Sequence, residues 1–119
     1  MNVPSRVSLR NQLELLDAIR ARPRMYLRDG SVECMQGVRD IENIMYGYEL
    51  RGDPIKECQF TLEFNSYLQN TYPDIYHAPL GMYSVIDKKC TYDDVRSPWD
   101  TFFELVADFR VAVMTAHDM

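Results

Sequence analysis

No two cysteines of this chain stand close enough in sequence to suggest a metal-binding pair. The three, Cys34, Cys58 and Cys90, are odd in number and form no CxxC spacing, whereas a small secreted domain usually carries an even framework. They read as reduced thiols that pack as small apolar residues. Histidine is also scarce: His77 and His117 have no cysteine at ligand spacing, so neither a metal site nor a cofactor is expected. No apolar run approaches the roughly 18 residues that span a bilayer. Arg6, Asn11 and Glu14 interrupt every early apolar stretch that a signal-peptide core would need. A cytoplasmic protein without a membrane partner is the expectation. Repeats and low-complexity tracts are missing too.

What the chain does have is material for a core. Of its 119 residues 46% are hydrophobic and 12% aromatic, which fits one folded domain, 1–119, with ends at 1–7 and 115–119 expected to fray. Charge is unevenly spread. Residues 1–28 hold six arginines against Glu14 and Asp17, whereas residues 29–119 hold seven basic and sixteen acidic side chains. An acidic majority disfavours nucleic-acid binding, which needs Lys and Arg on phosphates. It favours a cationic partner, or simply solubility.

Periodicity predicts an all-α domain of about four main helices. Leu9, Leu13, Leu16 and Ile19 recur at helical steps over residues 8–21, with Leu15 widening the face, Ser8 as a cap and Pro23 as a stop. A second helix should open at Ser31, carry Val32, Met35, Val38, Ile41, Met45 and Tyr48, and close at Gly52. Asp53-Pro54 signals a third start. The alternation of Cys58, Phe60, Leu62 and Phe64 allows a strand over 57–64, but Phe60, Phe64, Tyr67 and Leu68 make a longer helical stripe, and helix is the reading adopted. Residues 73–95 read as a long loop before the last helix, interrupted at most by a short turn of helix near "LGMYSVI", residues 80–86. Ser97-Pro98 then starts the final helix, whose inner face is Trp99, Phe102, Phe103, Val106, Phe109 and Val113.

Catalytic constellations are not evident, and an enzyme is not expected. Ser84 and Ser97 have no base and orienting acid at recognisable spacing. Asp93 and Asp94 are adjacent, which does not make a shared cleft. Cys58 reads as core and His77 as a loop residue, while Tyr46, Tyr48, Tyr72 and Tyr76 suit the edge of a core.

Acidic residues are the more informative pattern. Asp100, Glu104 and Asp108 recur every four residues along the last helix, with Asp93 and Asp94 just upstream and Asp87 before them. Tyr92 and Arg96, residue types common among interface anchors, stand among these acids. A second set, Glu33, Asp40, Glu42 and Glu49, lies on the second predicted helix. Either set can be a docking face or an ordinary solvated one.

The stretch "IRARPRMYLRDGS" at 19–31 raises three readings. Its "RPRMYL" is similar to the "RPxMYIG" signature of gyrase-type ATPases, in which a following helix carries a general-base Glu and, four residues on, a magnesium-binding Asn. Asn43 can match the Asn, but Arg39 occupies the Glu position and a guanidinium cannot act as a base. That family's later glycine-rich motifs have no counterpart, since only Gly81 lies beyond Gly52. A basic nucleic-acid patch fits poorly too: Arg20, Arg22, Arg24 and Arg28 cluster where a helix ends, a position that favours cations by itself. The structural reading accounts for each residue: Pro23 breaks the helix, Met25, Tyr26 and Leu27 plug inward, and Asp29-Gly30 turns the chain.

A second resemblance covers roughly residues 12–110. The order "AIRARPRMYL", a helix ending "MYGYEL", then "FTLEFNSYL" and "SPWDTFFELVADF" resembles immunity proteins of contact-dependent growth inhibition and related polymorphic-toxin systems. The resemblance implies a non-catalytic helical protein that occludes the active site of a cognate toxin C-terminal domain. Such toxins are commonly nucleases with positive clefts, so an acidic inhibitor is complementary. The candidate docking residues are then Asp87, Tyr92, Asp93, Asp94, Arg96, Asp100, Glu104 and Asp108, in a 1:1 heterodimer. The alternative is a helical interaction or regulatory module with a different partner.

Overall fold

The computed structural model describes residues 7–27, 35–51, 59–92 and 97–117. These residues form five α-helices, α1 (Val7–Ala21), α2 (Met35–Glu49), α3 (Phe60–Thr71), α4 (Met82–Tyr92) and α5 (Pro98–His117), and one 3-10 turn at Pro23–Met25. There is no strand among them, in keeping with the all-α expectation. Packing divides the chain into two compact units, Met1–Glu63 and Phe64–Met119, with the boundary inside α3.

In the first unit, α1 buries Leu9, Leu13, Leu16 and Ile19 as their spacing predicts. Ser8, the expected cap, lies inside the helix rather than before it. The helix already includes Val7, so Ser8 has left the extended conformation that a capping residue needs. The stop is where proline puts it: Arg22 takes φ −138°, ψ 66° ahead of Pro23. The following turn corrects another expectation. Leu27 is buried, but Met25 is 69% and Tyr26 40% exposed. Only Met25 belongs to the 3-10 turn, and Tyr26 and Leu27 follow it in a bend, so the three residues do not share one inward direction. The predicted turn at Asp29-Gly30 and the starts at Ser31 and Asp53-Pro54 lie outside the described residues, as does Gly52.

Helix α2 buries Val38, Ile41, Met45 and Glu49, a single stripe in steps of three and four. Its last member is a carboxylate, satisfied from two other helices. Gln12 of α1 donates from Nε2 to Glu49 Oε2 at 2.7 Å, and the Thr61 amide of α3 donates to the same oxygen at 3.0 Å. The Thr61 hydroxyl donates to Oε1, and Gln12 Oε1 accepts from the Phe60 amide at 2.9 Å. Amides at the start of a helix have no intrahelical acceptor; here α1 and α2 supply the acceptors for α3. Glu49→Ala is expected to lower stability by about 3 kcal/mol, since each buried polar group left unsatisfied costs about 1–3 kcal/mol. A urea titration should show this as a lower midpoint with an unchanged slope.

The strand alternative for α3, the helix that holds the boundary between the units, fails on burial. A strand would place Phe60, Leu62 and Phe64 on one face, yet Leu62 is 66% exposed while Phe60 and Phe64 are buried. Phe64 stands edge-on to Phe102 at 5.8 Å and to Phe109 at 5.4 Å, and Phe102 stands edge-on to Phe103 at 5.1 Å. The expected long loop is interrupted by α4, eleven residues of helix. Met82, Val85 and Ile86 supply its buried side at helical spacing, and exposed Asp87 and Lys88 fall on its water side. A polar run that looked like loop is the outer surface of a helix. The start of α5 follows expectation: Ser97 Oγ accepts the Asp100 amide at 3.1 Å.

Gly81 precedes α4 with φ +59°, and a Cβ built there lies 3.1 Å from Asn65 Oδ1. Left-handed backbone costs an ordinary residue about 1–2 kcal/mol. Gly81→Ala is therefore expected to lower the Tm by about 4–8 °C per kcal/mol lost, measured by thermal melting.

Candidate protein-docking surface

Helix α5 is two-faced because its sequence is. Trp99, Phe102, Phe103, Leu105, Val106 and Phe109 are buried, while Asp100, Glu104 and Asp108 are exposed. Four residues of α-helix rise about 6 Å, so the three carboxylates mark a stripe about 12 Å long. Neighbouring like charges at this spacing repel by about 0.2–0.5 kcal/mol per pair. The inner face holds the stripe in place, with Trp99 stacked at a tilt on Phe103 at 4.9 Å and Tyr67 edge-on to Phe109 at 5.5 Å. Beyond Asp108 the exposed surface turns apolar, with Val111 67% exposed beside Ala112.

Burial raises the Tyr67 phenol above its ordinary pKa, Thr71 opposes through a hydrogen bond, and the charges of Tyr72 and Asp108 push it further up. Asp108 is thus electrically coupled to the Tyr67 ring that supports α5. Near the other end, Cys90 Sγ of α4 lies 3.3 Å from Thr101 Oγ1, tying the C-terminal part of α4 to the first turns of α5. Of the remaining candidates, Asp87 is exposed on α4 and Tyr92 is that helix's last residue. Asp93, Asp94 and Arg96 lie outside the described residues.

The second acidic set is not an exposed face. Glu49 is buried in the network with Gln12 and Thr61. Asp40 and Glu42 are half-buried. Asp40 accepts from Gln36 Nε2 at 2.9 Å, and Glu33 lies outside the described residues. Burial along one helical stripe includes the carboxylate that falls in step with Val38, Ile41 and Met45. That rhythm was the available signal for the network, which the sequence reading missed.

Ser84, one of the serines weighed as a nucleophile, is engaged in the turn beside it. The Ser84 hydroxyl donates to the Gly81 carbonyl at 2.6 Å and accepts the His77 amide at 2.9 Å, so its proton is directed at a carbonyl rather than a base. Arg39 and Asn43, the positions compared with the ATPase motif, are both exposed on α2. Among the described residues no three His, Cys, Asp or Glu side chains are grouped to hold a metal ion. No described helix is long and apolar enough to cross a membrane.

The charge divides along the same line as the packing. By sequence, residues 1–63 carry nine basic and ten acidic side chains, whereas residues 64–119 carry four basic and eight acidic. The unit with the exposed stripe is the acidic one. Compared with protein-family models, with curated proteins and with solved structures, the chain matches none.

Proposed function

We propose that this chain is an immunity protein: it binds the C-terminal domain of a cognate toxin, a cationic nuclease, and occludes its active site in a 1:1 complex in the cytoplasm. The observation that carries this reading is the exposed Asp100, Glu104 and Asp108 stripe on a helix whose other face is locked by aromatic packing. Negative charge fixed on a rigid support meets a positive cleft without first having to be ordered. Ordering interface side chains otherwise costs about 0.5–1.5 kcal/mol for each immobilised one. Complementary fields speed encounter and orient it, and the bulk of the inhibitor then excludes the polyanionic substrate. Inhibition of this kind needs no reactive group.

The reading requires a toxin gene beside this chain's own, and the test is a titration of that toxin domain's nuclease activity. Activity should fall linearly and vanish at equimolar inhibitor. Association should slow markedly between about 50 and 200 mM salt, as screening shortens the reach of exposed charges. Undiminished activity at a tenfold excess of this chain rejects the reading.

Exposed Tyr46 on α2 and Leu50 just beyond its end, at 48% and 87%, support a second reading, a helical interaction module with a different partner. Tyrosine is among the residue types enriched at interface anchors. In that case Tyr46→Ala, not the α5 acids, controls binding.

A further inference from the structure

Beside the last carboxylate of the α5 stripe, oxygen atoms from two helices gather on one side of the second unit. Tyr67 and Thr71 stand one turn apart on α3, and a side-chain hydrogen bond joins them. Asp108 of α5 and Tyr72, the residue after α3, are near enough for their charges to act on the Tyr67 phenol. Buried Phe109 holds the Tyr67 ring edge-on at 5.5 Å, so the core fixes where that ring sits. Tyr67 and Tyr72 are half-buried, whereas Thr71 and Asp108 are exposed. One ring of the group already takes a cation: Lys89 Nζ of α4 stands over Tyr72, 5.0 Å from the ring centre. The face of a ring is electron-rich and attracts a cation within about 6 Å of its centre. Phenol and hydroxyl oxygens, one carboxylate and a fixed ring are what a flat cation with several N–H donors can bind together.

We infer that Tyr67, Thr71 and Asp108 receive one arginine side chain from the toxin domain's cationic cleft, its guanidinium lying on the Tyr67 ring and donating to the Asp108 carboxylate. The inference rests on the immunity reading and names the chemistry of one contact within it. Arginine suits the group better than lysine does. Its planar fork gives a carboxylate two N–H donors while its flat face covers a ring, and it is more weakly hydrated than an ammonium. Asp100 and Glu104 act at long range on the rate of encounter. A carboxylate and a ring that close on one guanidinium act at contact and govern escape.

Two measurements on the full chain test this. The first is the titration of Tyr67 followed by NMR. Asp108 helps to hold the phenol above its ordinary pKa, so Asp108→Asn should move it down towards the usual tyrosine range. An unmoved titration means that the carboxylate does not face the phenol, and overturns the receptor. The second is kinetic binding to the toxin domain, made inactive and immobilised. Asp108→Asn and Tyr67→Leu are each expected to weaken binding about 10- to 30-fold, as loss of an interface anchor does, mainly through faster dissociation. Tyr67→Phe keeps the ring face and should lose much less. Exchanging the cleft's arginines for lysine one at a time should find one position whose loss matches that of Asp108→Asn and does not add to it in the double variant. Additive losses at every arginine overturn the receptor. Asn70→Ala, exposed on α3, should bind as the parent does, and circular dichroism establishes that each variant is folded. Should Tyr67→Leu not fold, Asp108→Asn and the arginine exchanges decide alone. If Asp108→Asn dissociates at the parental rate while D100N/E104Q slows association, the receptor is wrong and the immunity reading stands. A parent chain that does not bind the toxin domain overturns both.

Discussion

The triple variant D100K/E104K/D108K is expected to associate with the toxin domain about 10- to 1,000-fold more slowly at low salt, the range over which electrostatic steering acts. All three side chains are exposed, so the substitutions touch the field rather than the packing. Their direct cost to the fold is small. Asp100 lies at the third position of α5, where a negative charge meets the positive helix end, and losing that interaction costs about 0.3–1 kcal/mol. Circular dichroism should therefore show the parental helix content, while stopped-flow or surface-binding traces show the slower association. The deficit should shrink as salt rises, because screening removes what the parent gains. The neutral triple variant, D100N/E104Q/D108N, should fall between the two. Cells carrying the toxin give a second readout: protection as complete as the parent's by D100K/E104K/D108K would mean that α5 does not face the toxin.

The largest effect on stability is expected at Phe64. Its ring is buried and meets Phe102 and Phe109 edge-on. Phe64→Ala removes the transfer energy of a whole ring and leaves a cavity, which together cost about 3–5 kcal/mol. Each lost edge-on pair is worth about 0.5–1.5 kcal/mol beyond area, and part of that lies within the same total. Against a whole-protein stability of about 5–15 kcal/mol, this loss is large. Near-UV circular dichroism should lose its aromatic signal at a denaturant concentration well below the parental midpoint. Leu62→Ala, two residues away in the same helix, should change stability by less than about 0.5 kcal/mol, as surface substitutions do. A strand through this segment would make the two substitutions nearly equal, so the contrast between them tests the helical register.

Much of this contrast was legible beforehand. The stripe Phe60, Phe64 and Leu68 runs on a helical period, and so do Leu9, Leu13, Leu16 and Ile19; both are buried as written. The acids of α5 could be placed on its outer face by the same rule, since Phe102, Val106 and Phe109 claim the inner one. Asp87-Lys88 misled because charge next to charge resembles a loop, although the apolar residues just before them, Met82, Val85 and Ile86, already formed a helical half-stripe. Met25 and Tyr26 misled differently: hydrophobic identity suggested burial, but the turn's geometry left room inside only for Leu27.

The period of the apolar residues, set by bond geometry within a few turns, determined which segments are helices and which way the Asp100, Glu104 and Asp108 edge of α5 faces. Tertiary structure decided the fate of the polar residues that fall on an inward stripe. Glu49 is buried because Gln12, 37 residues earlier, and Thr61, 12 residues later, bring the hydrogen bonds that make its burial tolerable. A lone carboxylate in a core is prohibitive without such partners, and partners so distant in sequence come together only when the helices pack.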